Sequence, residues 1–329
     1  MLEKLIQPNV TKFDKETLKQ LKPYFDSNII QSSQQERYQW FQNLLTLAQY
    51  NLGIAHCIFH NHNARLHIEV KFKDKQYPNF YDPTYENQIG CFSTVKSADE
   101  MMLNGTTITG TKHWISMVHQ ADYGVFRVLD DDTEAYALID FATVKPIIDM
   151  SYSTPMGMEI AQPGSITINN YTLPENCILG YRKYYEKSPE FFHINNIIDY
   201  SFTTNYLGLL LSLYEELRIY IEQIKITGVD FEFKKIGLAI SGLIMMWQDN
   251  LPTVDITAPT DDFWPRRSTQ YTLSKNTLIN LISLILQIGD SRWLDAKSPK
   301  NQRFRDALTF CSHMKPLHRN IAERNFVRL

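Results

Sequence analysis

Leu103–Ser116, LNGTTITGTKHWIS, followed at once by MVHQADYGVFRVL, decides how this chain is read. It reads as a strand, a glycine turn and a second strand carrying Trp114-Ile115-Ser116, with another strand after Ala121-Asp122. Thr107 and Thr109, then Lys112, Trp114 and Ser116, follow the period of two that marks a half-buried sheet. A ring and a hydroxyl two residues apart on one strand face suit a flat cofactor. The ring covers its face, and the hydroxyl or a nearby amide meets its polar edge. An ordinary exposed hairpin shares this spacing, so the flanking segments have to decide between the two.

The flanks change period. From about Lys15 to Val70 the pattern is helical, with Tyr38, Phe41, Leu45, Ala48, Leu52 and Ala55 at three- and four-residue steps; Pro78 and Pro83 end it. From about Gln88 to Tyr181, short alternating runs such as YGVFRVL, AYALIDF and SITINNYTLP are separated by turns. Their connections are too short for parallel crossovers, which predicts an antiparallel sheet or small barrel. From about Pro189 the helical period returns, in a stripe from Ile194 through Leu207, Leu210, Tyr214 and Leu217 to Ile221, then in Leu238–Trp247 and Tyr271–Ile288. The expected class is α+β. N-terminal helices occupy residues 1–87, a central antiparallel β domain (a small barrel or sandwich) residues 88–185, and a C-terminal helical bundle residues 186–329. Helices, then sheet, then helices is an unusual order, because most proteins of both types interleave them.

Composition narrows the function. The chain has 329 residues, 43% hydrophobic and 21% charged, as expected of a globular protein. A net charge of -3 leaves no basic excess to neutralise nucleic-acid phosphates. Cys57, Cys91, Cys177 and Cys311 form no CxxC pair, which suits a reducing compartment better than a disulfide or zinc framework. MLEKLIQPNVTKF reads as neither signal nor transit peptide, and Asn280, Ser283 and Gln287 interrupt the apolar run Leu278–Ile288. The expectation is a cytoplasmic protein with no membrane partner. His56, His60, His62 and His67 cluster with Cys57, but no H-E-x-x-H is present; a solvated helix end without metal is expected. Asp130-Asp131-Asp132 reads as a hairpin turn, and Arg266-Arg267 as a surface pair. The chain carries no serine nucleophile elbow, P-loop or dinucleotide glycine fingerprint.

The order of segments, together with G-x-K-x-W-I-S, resembles the acyl-CoA dehydrogenase superfamily of flavoproteins. The resemblance continues in Ala121-Asp122 before a hydrophobic strand and in Leu173-Pro174 with Leu179-Gly180 at the close of the β region. Met156-Gly157 looks like the family's Lys-Gly loop, Leu207-Gly208 like its helical Leu-Gly, and Arg305-Asp306-Ala307 like its Arg-Asp-Ala. By that resemblance, Trp114 and Ile115 wall one face of an isoalloxazine ring, and Ser116 or its amide meets the ring's N5 edge. Cys91-Phe92-Ser93-Thr94 resembles the preceding strand, so Ser93 and Thr94 meet the pyrimidine end, while Gly289 stands for a Gly-Gly that approaches phosphate. The implied cofactor is FAD or FMN. The implied partner is a small-molecule substrate such as an acyl-CoA, and the implied state a homodimer or homotetramer assembled through the C-terminal helices.

The chain also departs from the pattern. Val95–Glu100 replaces the family's flavin loop, and Tyr220–Ile224 lacks its phosphate-gripping Arg. Met314 stands where the dehydrogenase Glu is expected and Ile198 at the alternative base position, with Asp199 beside it as the nearest carboxylate. His313, in RFRDALTFCSH, resembles the flavin-dependent monooxygenases of the same fold. Three functions follow: an acyl-CoA-dehydrogenase-like flavin oxidoreductase without the usual Glu, a flavin monooxygenase using His313, or a flavin-free binding or assembly subunit.

Overall fold

The computed structural model describes residues 12–25, 29, 32–73, 75–84, 87–94, 101–131, 133–151, 157–181, 188–255, 263–293 and 299–313. Among the described residues three helices come first: α1 (Lys15–Phe25), α2 (Gln34–Tyr50) and α3 (Leu52–Lys71). Ser33 starts α2 with a reciprocal capping box to Glu36. Asn51 divides the long periodic run in two. Its amide donates to Leu47 O at the end of α2, and its side chain accepts from Ile54 N at the start of α3.

Strands β1 (Gly90–Ser93), β2 (Met102–Asn104), β3 (Thr107–Ile115), β4 (Tyr123–Asp130), β5 (Thr133–Asp140), β6 (Ile147–Asp149), β7 (Gly164–Thr172) and β8 (Ile178–Tyr181) form one sheet. Its order is β6-β7-β3-β2-β4-β5-β8, with β1 also on β4. The sheet is mixed, not purely antiparallel as the short connections predicted: β1 and β2 both run parallel to β4. The reason is local. β2 turns back at Gly105-Thr106 into β3, and β3 itself serves as the crossover to β4, so no helix-length connection is needed. Asp122 secures the start of β4, accepting from Ile89 N at 2.8 Å and from Lys15 Nζ at 2.6 Å.

The C-terminal helices are α4 (Pro189–Ile224), α5 (Asp230–Asn250), α6 (Phe263–Ile288) and α7 (Pro299–His313). They share one core with α1–α3: Trp40, Phe41 and Leu44 bury against the same cluster as Tyr200, Leu210 and Trp247. At Gly208, α2 and α4 meet so closely that a Cβ would lie 2.5 Å from the Ala48 methyl and 2.9 Å from Leu45 O. A second core fills the sheet and takes Ala64 and Ile68 from α3 and Phe72 from its C-cap. Helix α3 therefore runs between the two cores, and nearly every residue along it is buried. No described helix is long and apolar enough to cross a membrane.

Candidate functional site

The Trp-Ile-Ser segment is bent, not regular. Pairing of β3 with β7 loses register between Lys112 and Ile115, and Trp114 in that bulge has a φ of 57°. The bulge breaks the expected sharing of one face: Lys112, Ile115 and Ser116 are buried, whereas Trp114 is 43% exposed. A bulky residue in the left-handed region costs on the order of 1–2 kcal/mol, so surrounding contacts must hold it there.

Strand register brings Ser93 to the same place. Ser93 lies opposite Phe126 and Met102 opposite Leu129 on β4, while Met102 faces Thr109 on antiparallel β3. Counting back along that edge puts Ser93 level with Lys112, beside the bulge. Ser93 is buried, and its Oγ has no hydrogen-bond partner among the described residues. Buried hydroxyls are normally satisfied, so this one is an open polar contact. Thr94 is exposed, and its carbonyl accepts from Arg127 Nε at 3.1 Å; Arg127, itself buried, also pairs with Glu134 at 2.7 Å.

Beneath the bulge the chain is strained again. Met117 (φ 62°), Met158 (φ 57°) and Gln162 (φ 33°) join Trp114, so half of the eight described non-glycine residues with positive φ lie in this corner. Met117 N donates to Ala161 O at 2.7 Å, joining the bulge to the 157–162 loop. That loop docks on Arg305-Asp306-Ala307: Gly157 N donates to Thr309 Oγ1 at 2.8 Å, and Met158 N to Asp306 Oδ1 at 2.6 Å. The two segments singled out by resemblance thus meet each other.

Helix α3 supplies the neighbouring wall. His56 and His60 have ring centroids 4.3 Å apart, and His56 packs edge-on against Phe310 of α7 at 5.9 Å. Phe59, Phe202 and Tyr206 complete an aromatic cluster around Phe310. The expected solvated helix end is therefore overturned. His56, His62 and His67 are all buried, because α3 is enclosed by both cores. His62 lies on Trp40, and His67 stacks between Phe92 and Tyr136; burial pushes both imidazoles down to about 3. Further along, Arg65 and Glu69 pair at 3.4 Å, and burial pushes the Glu69 carboxyl up to about 7. No metal-binding cluster is found among the described residues.

The remaining predicted residues divide. Asp199 is half-buried on α4, one turn before Phe202. His313 is the last residue of α7, one turn after Phe310, and its side chain lies outside the described residues. Met314 and Val95–Glu100 also lie outside them. Gly289 follows the end of α6 and donates to Ile285 O; a Cβ there would come within 2.5 Å of that carbonyl and 2.8 Å of the Trp293 ring. Its missing side chain serves tight local packing. Sequence reasoning missed Arg127 and the enclosure of α3, whose one available signal was its apolar residues falling on all sides.

No family model matches the sequence, and no curated protein matches it. Solved structures do. Butyryl-CoA dehydrogenase from Megasphaera elsdenii superposes with a TM-score of 0.79 at 14% identity, covering 98% of this chain and 93% of that one. TdsC from Paenibacillus sp. A11-2, in a complex with FMN and indole, gives 0.75 at 14% identity, covering 94% and 88%. The HsaA monooxygenase from M. tuberculosis gives 0.73 at 11% identity, covering 98% and 92%. This chain has the acyl-CoA dehydrogenase fold.

Proposed function

We propose that this chain is a flavin-dependent oxidoreductase, and that oxygen-using chemistry of the monooxygenase kind fits it better than α,β-dehydrogenation of a thioester. The observation that carries the choice is the His56–His60 pair beside Phe310. Dehydrogenation requires a carboxylate to take the α proton. Imidazoles instead accept at one ring nitrogen and donate from the other, which suits proton delivery to a developing oxygen anion.

The flavin fits at one end. Trp114 presents a half-exposed ring, and Ser93 offers a buried hydroxyl with no described partner, the pair that an isoalloxazine face and its polar edge require. At the phosphate end, Gly289 N already donates to Ile285 O, so that amide is engaged within the helix end and not turned to a pyrophosphate. That difference favours FMN over FAD. When bound, the flavin supplies the redox chemistry; Trp114 shields it, Ser93 orients it, and His56, His60 and His313 hold the proton. Asp199 remains the carboxylate candidate should thioester dehydrogenation be the reaction. Gly289 also favours a second reading, a flavin-free binding subunit.

The visible spectrum of the purified protein with added FMN or FAD tests this function. Uptake of FMN with a perturbed band near the flavin maximum is expected, weakened by Trp114→Ala and Ser93→Ala. No uptake would sink both enzyme readings. If flavin binds, oxygen-dependent turnover with externally reduced flavin supports the proposal, whereas anaerobic bleaching by acyl-CoA would replace it with dehydrogenation.

A second copy of the chain completes the proposal. Phe231, Leu238 and Met245, spaced seven apart on α5, are 75%, 75% and 64% exposed, opposite the buried Ile236, Ile240 and Leu243. An apolar helix stripe with this repeat is the seam of a helix–helix interface. Leu238→Glu is expected to convert an oligomer to a smaller species by light scattering; an unchanged mass would remove α5 from the interface.

A further inference from the structure

We propose that Asp306 is a positioning residue for the Trp114–Ser116 bulge, acting across the fold through the 157–162 loop. The path is short and made of backbone. The Asp306 carboxylate accepts from Met158 N at 2.6 Å and from Gln302 Nε2 at 2.7 Å. Met158 O accepts from Ala161 N at 2.9 Å, and Ala161 O accepts from Met117 N at 2.7 Å. Met117 directly follows Ser116. Arg305 adds an outer tie to Glu159 at 3.1 Å, and Thr309 an inner one to Gly157 N.

Every link is buried: Asp306 is 4% exposed, Met158 3%, Ala161 2% and Met117 not at all. Met158 and Met117 are both held in the left-handed region, which bulky side chains leave unless a partner opposes the change. In that conformation the amide of Met158 donates to Asp306. Asp306 thus sets the path of the loop, and the loop sets the height at which Trp114 leaves the sheet. Burial, outweighing the two hydrogen bonds that favour the anion, pushes the Asp306 carboxyl up to about 6. A carboxylate so desolvated is retained at a cost, which agrees with a role that a neutral aliphatic side chain could not fill.

This inference rests on the flavin reading for its consequence, but not for its test. Trp114 emission is isolated by difference against Trp114→Phe and probed with acrylamide in the flavin-free protein. Asp306→Ala should raise the quenching of Trp114 and shift its emission to the red; Asp306→Asn, which keeps an acceptor oxygen, should restore both. In the FMN titration, Asp306→Ala should weaken uptake about tenfold, the loss of one well-made buried hydrogen bond, with Asp306→Asn close to wild type. Unchanged Trp114 quenching in Asp306→Ala overturns the proposal, as does Asp306→Asn behaving like Asp306→Ala. Should Asp306→Ala fail to fold, Thr309→Val, which removes the Gly157 tie and leaves Asp306 in place, must show the same quenching change in smaller degree, and its absence likewise overturns it. Failure of wild-type protein to bind FMN strikes the flavin reading alone.

Discussion

Gly157→Ala is expected to be the most damaging single methyl added to this protein. Its Cβ would lie 2.3 Å from the carbonyl carbon and oxygen of Arg305 and 2.4 Å from Asp306 N. These are backbone atoms of α7, so no rotamer change relieves the overlap. The 157–162 loop must lift, losing the bonds from Gly157 N to Thr309 and from Met158 N to Asp306. Overpacking and two broken buried hydrogen bonds together amount to about 4 kcal/mol. The urea-unfolding midpoint reads this directly. Gly242→Ala supplies the contrast: nothing lies within 4 Å of its Cβ position on α5, so it should leave stability unchanged or raise it by about 0.5–1 kcal/mol. Equal midpoints for the two variants would show that the loop does not sit on α7 as closely as the structure has it.

Stability should fall steeply on the acid side, and the buried imidazoles of α3 decide it. His62 and His67 have pKa values of about 3 when folded, against 6.5 for an exposed imidazole, chiefly because burial disfavours their charged forms. Below pH 6.5 the unfolded chain therefore takes up two protons that the folded chain refuses. Stability is lost as pH falls, at up to about 2.7 kcal/mol per pH unit for two protons. Glu69 and Asp306 act in the opposite sense. Burial raises them to about 7 and about 6, so the folded chain keeps protons that the unfolded chain releases above 4.5 and 3.8. Their contribution is fully present at low pH and is lost as pH rises through those raised values. Between about pH 4.5 and 6 the two pairs cancel. Between about pH 6 and 7 the last of the histidine gain offsets the last of the Glu69 loss, so the expected profile is a plateau from about pH 4.5 to 8 and a sharp drop below about pH 4.5. Urea midpoints measured from pH 3.5 to 8 give this profile. The double variant His62→Phe with His67→Phe should flatten the acid limb; an unchanged limb would assign it to other groups.

Much of the architecture was legible because it depends on local periodicity. The 3.6-residue stripes from Ile194 to Ile221 and from Leu238 to Trp247 became α4 and α5, and the expected glycine turn became the hairpin at Gly105-Thr106. The mixed character of the sheet was not legible, since strand neighbours are chosen by long-range pairing. The burial of the histidines was not legible for a related reason. A polar side chain on a helix looks solvated until the partners on its far side are known, and α3 has partners on every side.

The sequence by itself determined the order of helices and strands, the tight turn at Gly105 and the resemblance carried by Trp114-Ile115-Ser116. Those depend on residue type and spacing along the chain. Only the tertiary structure decided that Trp114 leaves the sheet in a left-handed bulge, that Ser93 lies beside it without a described partner, and that Gly157 rests on Asp306. These contacts join residues far apart in the chain, up to about 150 positions. Their strain is supported only by atoms that folding brings together, so no local pattern announces them.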